Sequence, residues 1–277
     1  MLSVRGKLLS FVHSAAGKRN AFDDLESDVR RLTTKELKDA VFECGVIPEA
    51  FSHDSSEEKL WAKVCDILLA MAMNKIGIQA DVIRARGNSA DVLGKTKSYT
   101  LVGDAKAFRL SRTAKNQKDF KITALEDWRR ENTFACLVGP LKQYPNTRSQ
   151  IYSQSVKNNV TLVSYTHLRF LLDHGVSGSL EHVWTVGKRL SPTGRADEYW
   201  TAVNAAVLKV SKGSPSDLEA TMELEVAKIR ELGTEGIRYW EGRIADYHRL
   251  SRERAISKLI KAEKIEEKIE TIKRAVA

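Results

Sequence analysis

The feature that most constrains this chain is a change in its hydrophobic pattern near residue 77, followed by a second change near residue 180. Before residue 77, apolar side chains recur at the three- and four-residue spacing of amphipathic helices. Between residues 77 and 165, short segments rich in β-branched residues alternate with helical segments, and after Leu180 only helical patterns remain. This order predicts an α/β fold, with a mixed sheet flanked by helices and helical regions at both ends.

The predicted elements follow from periodicity and from capping or turn residues. Ser55 and Ser56 precede an apolar helix over 60–72 that we expect to be capped and largely buried. Amphipathic helices are also predicted within 23–44. The other predicted helices are 1–13, 113–131, 147–157, 166–172, 196–210, 216–250 and 252–277, and the predicted strands are 77–84, 90–93, 99–106, 134–138 and 160–165. We therefore expect three regions: N-terminal helices (1–54), a core (55–180) and C-terminal helices (181–277) that are a candidate dimer interface.

Charge and cysteine usage restrict the function classes. Lys and Arg total 45 against 36 Asp and Glu, a formal net charge of +9, which makes a polyanionic partner plausible without identifying one. The cysteines are three in number and form no C-x-x-C pair, so neither a disulfide framework nor a zinc knuckle is indicated. No segment approaches the ~20 apolar residues of a membrane span. We expect a soluble protein of a reducing, prokaryotic cytoplasm.

The candidate chemistry centres on Asp91, Asp104 and Lys106. The two aspartates fall in adjacent predicted strands, on either side of a tight turn, so strand pairing would bring their carboxylates together. Asp104 and Lys106 are two apart in one strand, which places both side chains on the same face. Carboxylates at this spacing can hold Mg²⁺, with the Ala105 carbonyl as an additional ligand, while the ammonium stabilises charge on a phosphate.

The string Asp-x-Lys is weak evidence by itself. The same letters occur elsewhere in this chain, but in predicted helices, where residues two apart face different directions. Spacing alone leaves open a solvent-facing ion pair on an edge strand. Glu58 is a candidate for a further carboxylate at the site, although an exposed first-turn glutamate, favoured by the helix dipole, fits it as well.

Longer stretches carry a resemblance to a known family. Arg86-Gly-Asn-Ser-Ala-Asp-Val92, Asp104-Ala-Lys106 and above all the run from Phe108 to Lys121 resemble the HindIII family of type II restriction endonucleases, in the PD-(D/E)xK superfamily. The likeness covers about residues 45–172. It implies the restriction-endonuclease-like core, with Asp91, Asp104 and Lys106 as catalytic residues. It also implies a Mg²⁺-dependent homodimer that cuts both strands of a short palindrome to leave 5′-phosphate ends.

Residues 109–121, here called the recognition segment, are the predicted DNA reader. Lysine and arginine neutralise phosphates, whereas Asn, Gln and Arg can form paired hydrogen bonds with purine edges in the major groove. A solvated basic helix is the other interpretation of such a run. The candidate DNA-binding residues are Arg109, Ser111, Arg112, Lys115, Asn116, Lys118 and Lys121, of which Asn116, Lys118 and Lys121 are the leading base readers. The resemblance implies a target like AAGCTT.

Two alternatives to a restriction enzyme remain at the level of sequence. One is a repair or structure-specific nuclease with the same core, and the other is a catalytically silent, sequence-specific DNA-binding protein. The intact Asp91, Asp104 and Lys106 argue against the silent protein, because binding alone gains nothing from carboxylates placed against phosphates. The partners expected are double-stranded DNA, a second copy of the chain, and a DNA methyltransferase that acts on the same site without being bound.

Overall fold

The computed structural model describes residues 2–84, 89–112, 117–191 and 193–276. Within these ranges one mixed sheet of five strands is formed, in the order β1 to β5. The strands are β1 (Gln79–Val82), β2 (Val92–Lys95), β3 (Thr100–Ala105), β4 (Phe134–Gly139) and β5 (Val160–Ser164). Strand β2 pairs antiparallel with both β1 and β3, whereas β3, β4 and β5 run parallel to one another. The sheet confirms the predicted α/β class.

Helices flank the sheet and form both ends of the chain. They are α1 (Val4–Ala15), α2 (Ala21–Val29), α3 (Thr34–Glu43), α4 (Ser56–Lys75), α5 (Gln117–Phe120), α6 (Ile122–Arg129), α7 (Gln150–Asn158), α8 (Tyr165–His174), α9 (Glu181–Trp184), α10 (Val186–Arg189), α11 (Ala196–Val210), α12 (Pro215–His248), α13 (Arg252–Ala262) and α14 (Ile265–Val276). A short 3-10 helix spans Leu141–Gln143.

Burial explains the difference between the two halves of the sheet. Strands β4 and β5 are buried at every position, as expected for parallel strands that lie between helical layers. Strands β1 and β2 alternate between exposed and buried residues, because only one face of these antiparallel strands is covered. Full burial of each large apolar side chain in such a core contributes roughly 1.5–3 kcal/mol. The sheet therefore provides a rigid base for groups at the ends of β2 and β3.

Helix α4 is the main support beneath the antiparallel strands, and it packs against β1, β2 and β3. The predicted cap is confirmed: the Ser55 side chain accepts a hydrogen bond from the Glu58 backbone N–H at 3.2 Å. The indole of Trp61 is fully buried, and its N–H donates to the carbonyl of Cys44 at 2.8 Å. Because both ends of this hydrogen bond are buried, it fixes α4 against the end of α3.

The predicted continuous helix over 113–131 is wrong in the described residues. Helix α5 ends at Phe120, Lys121 adopts the left-handed conformation (φ 48°), and α6 begins at Ile122. Phe120 and Ile122 are both about 1% exposed. Residues two apart point to nearly opposite sides of a helix, so a continuous helix would leave one of the two in solvent. Burying both side chains requires the break at Lys121.

The C-terminal prediction is correct in type but not in continuity. Helices α11 and α12 follow the predicted 196–210 and 216–250, whereas the predicted helix over 252–277 is divided at Lys264, which has φ 52°. The sequence around this break has no Gly or Pro, so its composition favours an unbroken helix. The short helices α9 and α10 were not predicted, because four residues are too few to show a helical period.

The chain divides into two compact units, residues 1–233 and 234–277. The first contains the sheet, the N-terminal helices and α11; the second contains α13 and α14. The functional regions 1–54, 55–180 and 181–277 stay a prediction. Among the described residues, none of the helices combines the length and the apolar character needed to cross a membrane.

Candidate active site

The pairing of β2 with β3 brings Asp91 opposite Asp104. Val92 pairs with Gly103 in the antiparallel register, and the backbone N–H of Asp91 donates to the carbonyl of Gly103 at 3.1 Å. The residue before Val92 therefore lies across from the residue after Gly103. The two carboxyl groups are hydrogen-bonded to each other. A separation of thirteen positions in sequence thus becomes direct contact, as the sequence predicts.

Lys106 completes this arrangement at the end of β3. Its ammonium forms an ion pair with the Asp104 carboxylate. Its backbone N–H donates to Val138 at 2.7 Å, and its carbonyl accepts from the hydroxyl of Tyr165 at 3.1 Å. Ala105, between the two, is buried. The prediction that residues two apart in this stretch share one face is confirmed, because the side chains of Asp104 and Lys106 are in contact.

The two aspartates have opposite protonation tendencies. Burial of Asp104, which is 2% exposed, raises its pKa to about 7; the hydrogen bond and charge of Asp91 act in the same direction, against the opposing effect of Lys106. For Asp91, burial acts to raise the pKa, but the hydrogen bond from Asp104 and the ammonium of Lys63 outweigh it, so the pKa is lowered. Without a cation, the pair therefore holds one proton below about pH 7.

Two further charged residues reach this site from α4, and neither was predicted. The ammonium of Lys63 lies 3.1 Å from Asp91 and 2.9 Å from Asp66. Asp66 is 3% exposed, and burial together with the negative charge of Asp91 raises its pKa well above the ordinary value. The sequence signal was present: Asp66 interrupts the apolar run 64–70 on a helix that is otherwise buried. A charged residue at such a position requires partners.

We call Lys63, Asp66, Asp91, Asp104 and Lys106 the strand-end cluster. Its three carboxyl groups face two ammonium groups, so the carboxyl groups outnumber the cations in a largely enclosed place. Adjacent carboxylates at the end of paired strands supply the oxygen donors that divalent cations such as Mg²⁺ prefer. Burial strengthens every electrostatic interaction at the site, because little water screens it. The arrangement suits the binding of a cation and a phosphate.

The comparisons with known proteins agree with this geometry. The family model described as HindIII restriction endonuclease matches residues 7–276. The type II restriction enzyme HindIII of Haemophilus influenzae is 36% identical over 278 aligned positions, which cover 96% of this chain and 93% of that protein. The chain belongs to the HindIII restriction endonuclease family. Membership confirms the restriction-endonuclease-like fold inferred from the mixed sheet and its flanking helices.

Glu58, the candidate auxiliary carboxylate of this HindIII family member, is engaged by other groups. It forms an ion pair with Arg109 at 2.7 Å, accepts from the backbone N–H of Asp54 at 2.7 Å and lies 3.3 Å from the His53 ring. Donor atoms of His53, Asp54 and Glu58 lie within 4.8 Å of one another, a spacing that a metal ion can bridge. However, His53 and Asp54 are exposed and Arg109 already pairs with Glu58, so the pair of Asp91 and the buried Asp104 is the better cation site.

The recognition segment of this family member begins as a turn, and its first polar residues have partners within the protein. Arg109 donates to the Phe51 carbonyl at 2.7 Å in addition to its ion pair with Glu58. The Ser111 hydroxyl donates to Glu49 at 2.7 Å, and Arg112 forms an ion pair with Asp119. Arg109, Ser111 and Arg112 thus each have a carboxylate partner within the protein, which is Glu58, Glu49 and Asp119 in turn.

The remaining residues of the recognition segment are described only in part. Lys121 is exposed, and its ammonium lies 6.0 Å from the centre of the Trp128 ring. Lys115 and Asn116 lie outside the described residues, as does the side chain of Lys118. The assignment of these positions to DNA therefore stays a prediction.

Proposed function

We propose that this member of the HindIII family is a type II restriction endonuclease that uses Mg²⁺ to hydrolyse both strands of a short palindrome. The observation that carries the proposal is the convergence of Asp91, Asp104 and Lys106 at the ends of β2 and β3. Membership of the family supports the endonuclease activity. We propose a target like AAGCTT, since the recognition segment has the family's pattern, and products with 5′-phosphate ends.

Asp91 and Asp104 are the proposed magnesium ligands, with the carbonyl of Ala105 as a third. The donor set fits, because the two carboxyl groups are adjacent and an ammonium group, that of Lys106, already pairs with Asp104. When bound, Mg²⁺ supplies charge to neutralise the phosphate and to lower the pKa of a water molecule. Of the three proposed catalytic residues, Asp91 and Asp104 would thus bind the metal ion, and Lys106 would supply an ammonium group.

Lys106 provides the positive charge that the chain itself contributes. Its ammonium is fixed next to Asp104 by the ion pair and by the hydrogen bonds of its backbone. From this position it can orient the attacking water and stabilise the charge that grows on the phosphate. Lys63 holds Asp91 in place through a contact of 3.1 Å, and we assign it a positioning role.

DNA is the proposed substrate of the recognition segment. On binding DNA, phosphates would replace the carboxylate partners of Arg109, Ser111 and Arg112. Because one anion replaces another, the two arginines would keep a negatively charged partner. Asn116, Lys118 and Lys121 are the proposed base readers, with Lys115 as a further phosphate contact. Glu58 is proposed to control Arg109 rather than to bind the metal.

A homodimer is proposed because a twofold palindrome presents the same half-site twice. Helix α14 offers a self-complementary surface for it. The exposed Ile265, Ile269 and Ile272 recur at heptad spacing along this helix. Acidic residues are concentrated in the first half of the helix and basic residues in its last turn. Two antiparallel copies would therefore pair apolar residues with apolar and acidic ends with basic ends. Ile269→Glu is expected to lower the molar mass measured by light scattering to that of a monomer.

The biological setting follows from the proposed activity. A restriction enzyme acts on DNA that has entered the cell, so we propose a prokaryotic cytoplasmic location. Host DNA would need protection by a methyltransferase that modifies the same site, acting separately and not bound to the enzyme.

The decisive experiment is digestion of phage-sized DNA by the purified protein with Mg²⁺, followed by sequencing of the fragment ends. Discrete fragments whose ends share one palindrome are expected, with 5′-phosphates at each end. Cleavage confined to branched or damaged DNA would establish the repair alternative instead. Specific DNA binding without any cleavage would establish the catalytically silent one.

A further inference from the structure

A groove with a volume of about 610 Å³ lies next to the strand-end cluster. Its walls come from the loop between α1 and α2, from the first turns of α2 and α4, and from described residues between β1 and β2. Asp91 and Lys63 line this groove and also belong to the cluster, so the two are continuous. None of the residues from the recognition segment is among the described lining residues. The groove is therefore a second surface adjoining the proposed metal site.

The charges in this groove are unevenly balanced. Among the described residues, four basic side chains line it, Arg19, Lys59, Lys63 and Arg84, against the two carboxylates Asp23 and Asp91. Arg84 is already paired with Asp23 at 2.7 Å and with Glu26 at 2.8 Å, and Lys63 is paired with Asp91. The surplus positive charge consequently belongs to Arg19 and Lys59, both of which are exposed.

The groove also contains apolar surface. Phe22, Leu60 and Ile83 contribute to its lining, between the basic side chains. A sugar-phosphate backbone has the same alternation, because deoxyribose offers apolar carbon atoms between charged phosphates. Phosphates of one strand recur about every 3.4 Å along the helix axis, so a strand with one phosphate at Asp91 must place others nearby.

We propose that this groove holds the backbone of the cleaved strand beside the scissile phosphate, with Arg19 and Lys59 neutralising its phosphates. The inference rests on the proposed function and assigns a part in it to the N-terminal helical region. Contacts of this kind position the duplex and do not read its sequence. The contribution of Arg19 and Lys59 to binding is thus the same for every DNA sequence.

The test measures how the affinity for a random-sequence duplex depends on salt, with Ca²⁺ in place of Mg²⁺ to prevent cleavage. For Arg19→Ala combined with Lys59→Ala, the slope of log K against log salt should become less steep by about 0.9 for each residue. Lys18→Ala is the matched control for Arg19→Ala: it removes one positive charge from the same loop, but Lys18 pairs with Asp24 at 3.3 Å and does not line the groove. The control should keep the slope of the unmodified protein.

Three results overturn the inference: an unchanged slope in the double variant, an equal change in Lys18→Ala, or a loss confined to one DNA sequence. A thermal unfolding curve that matches the unmodified protein excludes misfolding, and the combined Arg19→Lys and Lys59→Arg variant should restore the slope. If the unmodified protein neither binds nor cuts DNA, the proposed function itself fails. If it cuts DNA while the double variant keeps both slope and rate, only the groove assignment fails.

Discussion

The strand-end cluster and the recognition segment are neighbours in sequence but are held by different forces. Backbone hydrogen bonds between β2 and β3, and between β3 and β4, fix the positions of Asp91, Asp104 and Lys106. In the recognition segment, contacts made by side chains hold Arg109, and Lys121 interrupts the helix with a left-handed backbone conformation. Under the proposed function, the groups for chemistry are therefore in place before DNA binds, whereas the groups for reading must exchange side-chain partners when it does.

The largest effect that separates the two regions is expected for Lys106→Ala. Removing this ammonium should lower the single-turnover cleavage rate by about 100-fold to 1000-fold, because a fixed charge at the phosphate is lost. Binding should change little, since the recognition segment remains intact. Lys97→Ala, an exposed lysine in the turn between β2 and β3, is the control and should cut at the normal rate. Equal losses in both variants would mean that only net charge matters.

His167 lies outside both regions, fully buried at the start of α8, and it tests separately how burial alone acts on a titratable group. Burial lowers its pKa from 6.5 to about 4, against the opposing hydrogen bond with Asn204. Between pH 6.5 and 4 the unfolded chain therefore binds a proton that the folded chain does not, and this linkage removes up to about 3 kcal/mol of stability. Above pH 6.5 it contributes nothing.

Denaturant unfolding at a series of pH values measures this effect. His167→Gln should be less stable at pH 7, yet should lose less stability than the unmodified protein between pH 6.5 and 4. Parallel curves for the two proteins would show that the buried ring is not what responds to acid.

Lys63→Met tests whether α4 supports the strand-end cluster. The substitution leaves the buried Asp66 and its neighbour Asp91 without their shared cation. Because Lys63 is 37% exposed and partly screened, we expect a loss of about 1–2 kcal/mol in the free energy of unfolding. Lys75→Met, on the exposed last turn of the same helix, should stay within ~0.5 kcal/mol. Equal free energies of unfolding for Lys63→Met and Lys75→Met would mean that α4 does not support the strand-end cluster.

The smallest expected effect is that of Glu58→Gln. If Glu58 belongs with the recognition segment, the single-turnover cleavage rate should stay within about threefold, and the freed Arg109 should bind phosphate slightly more tightly. The matched measurement is duplex affinity with Ca²⁺. A loss of 100-fold or more in rate at unchanged affinity would instead place Glu58 among the metal ligands and move it into the strand-end cluster.

The sequence predicts contacts within and between neighbouring strands, but not contacts made by distant parts of the chain. Alternation of side chains along a strand is a local property, so the meeting of Asp104 with Lys106 followed from their spacing. The contact with Asp91 followed from a short turn between antiparallel strands. Lys63 and Asp66 come from a helix thirty residues earlier, and no local pattern encodes how that helix lies on the sheet. The break at Lys121 likewise depends on the burial of Phe120 and Ile122 by distant parts of the chain.

The most direct test of the central claim is the cleavage rate of Asp104→Asn under single-turnover conditions, with duplex affinity measured in parallel in Ca²⁺. The substitution keeps the shape of the side chain but removes a metal ligand. We predict that cleavage falls by about 1000-fold or more while affinity stays within about threefold. A variant that still cuts within about tenfold of the normal rate would contradict the claim that β2 and β3 present the carboxylates of the active site.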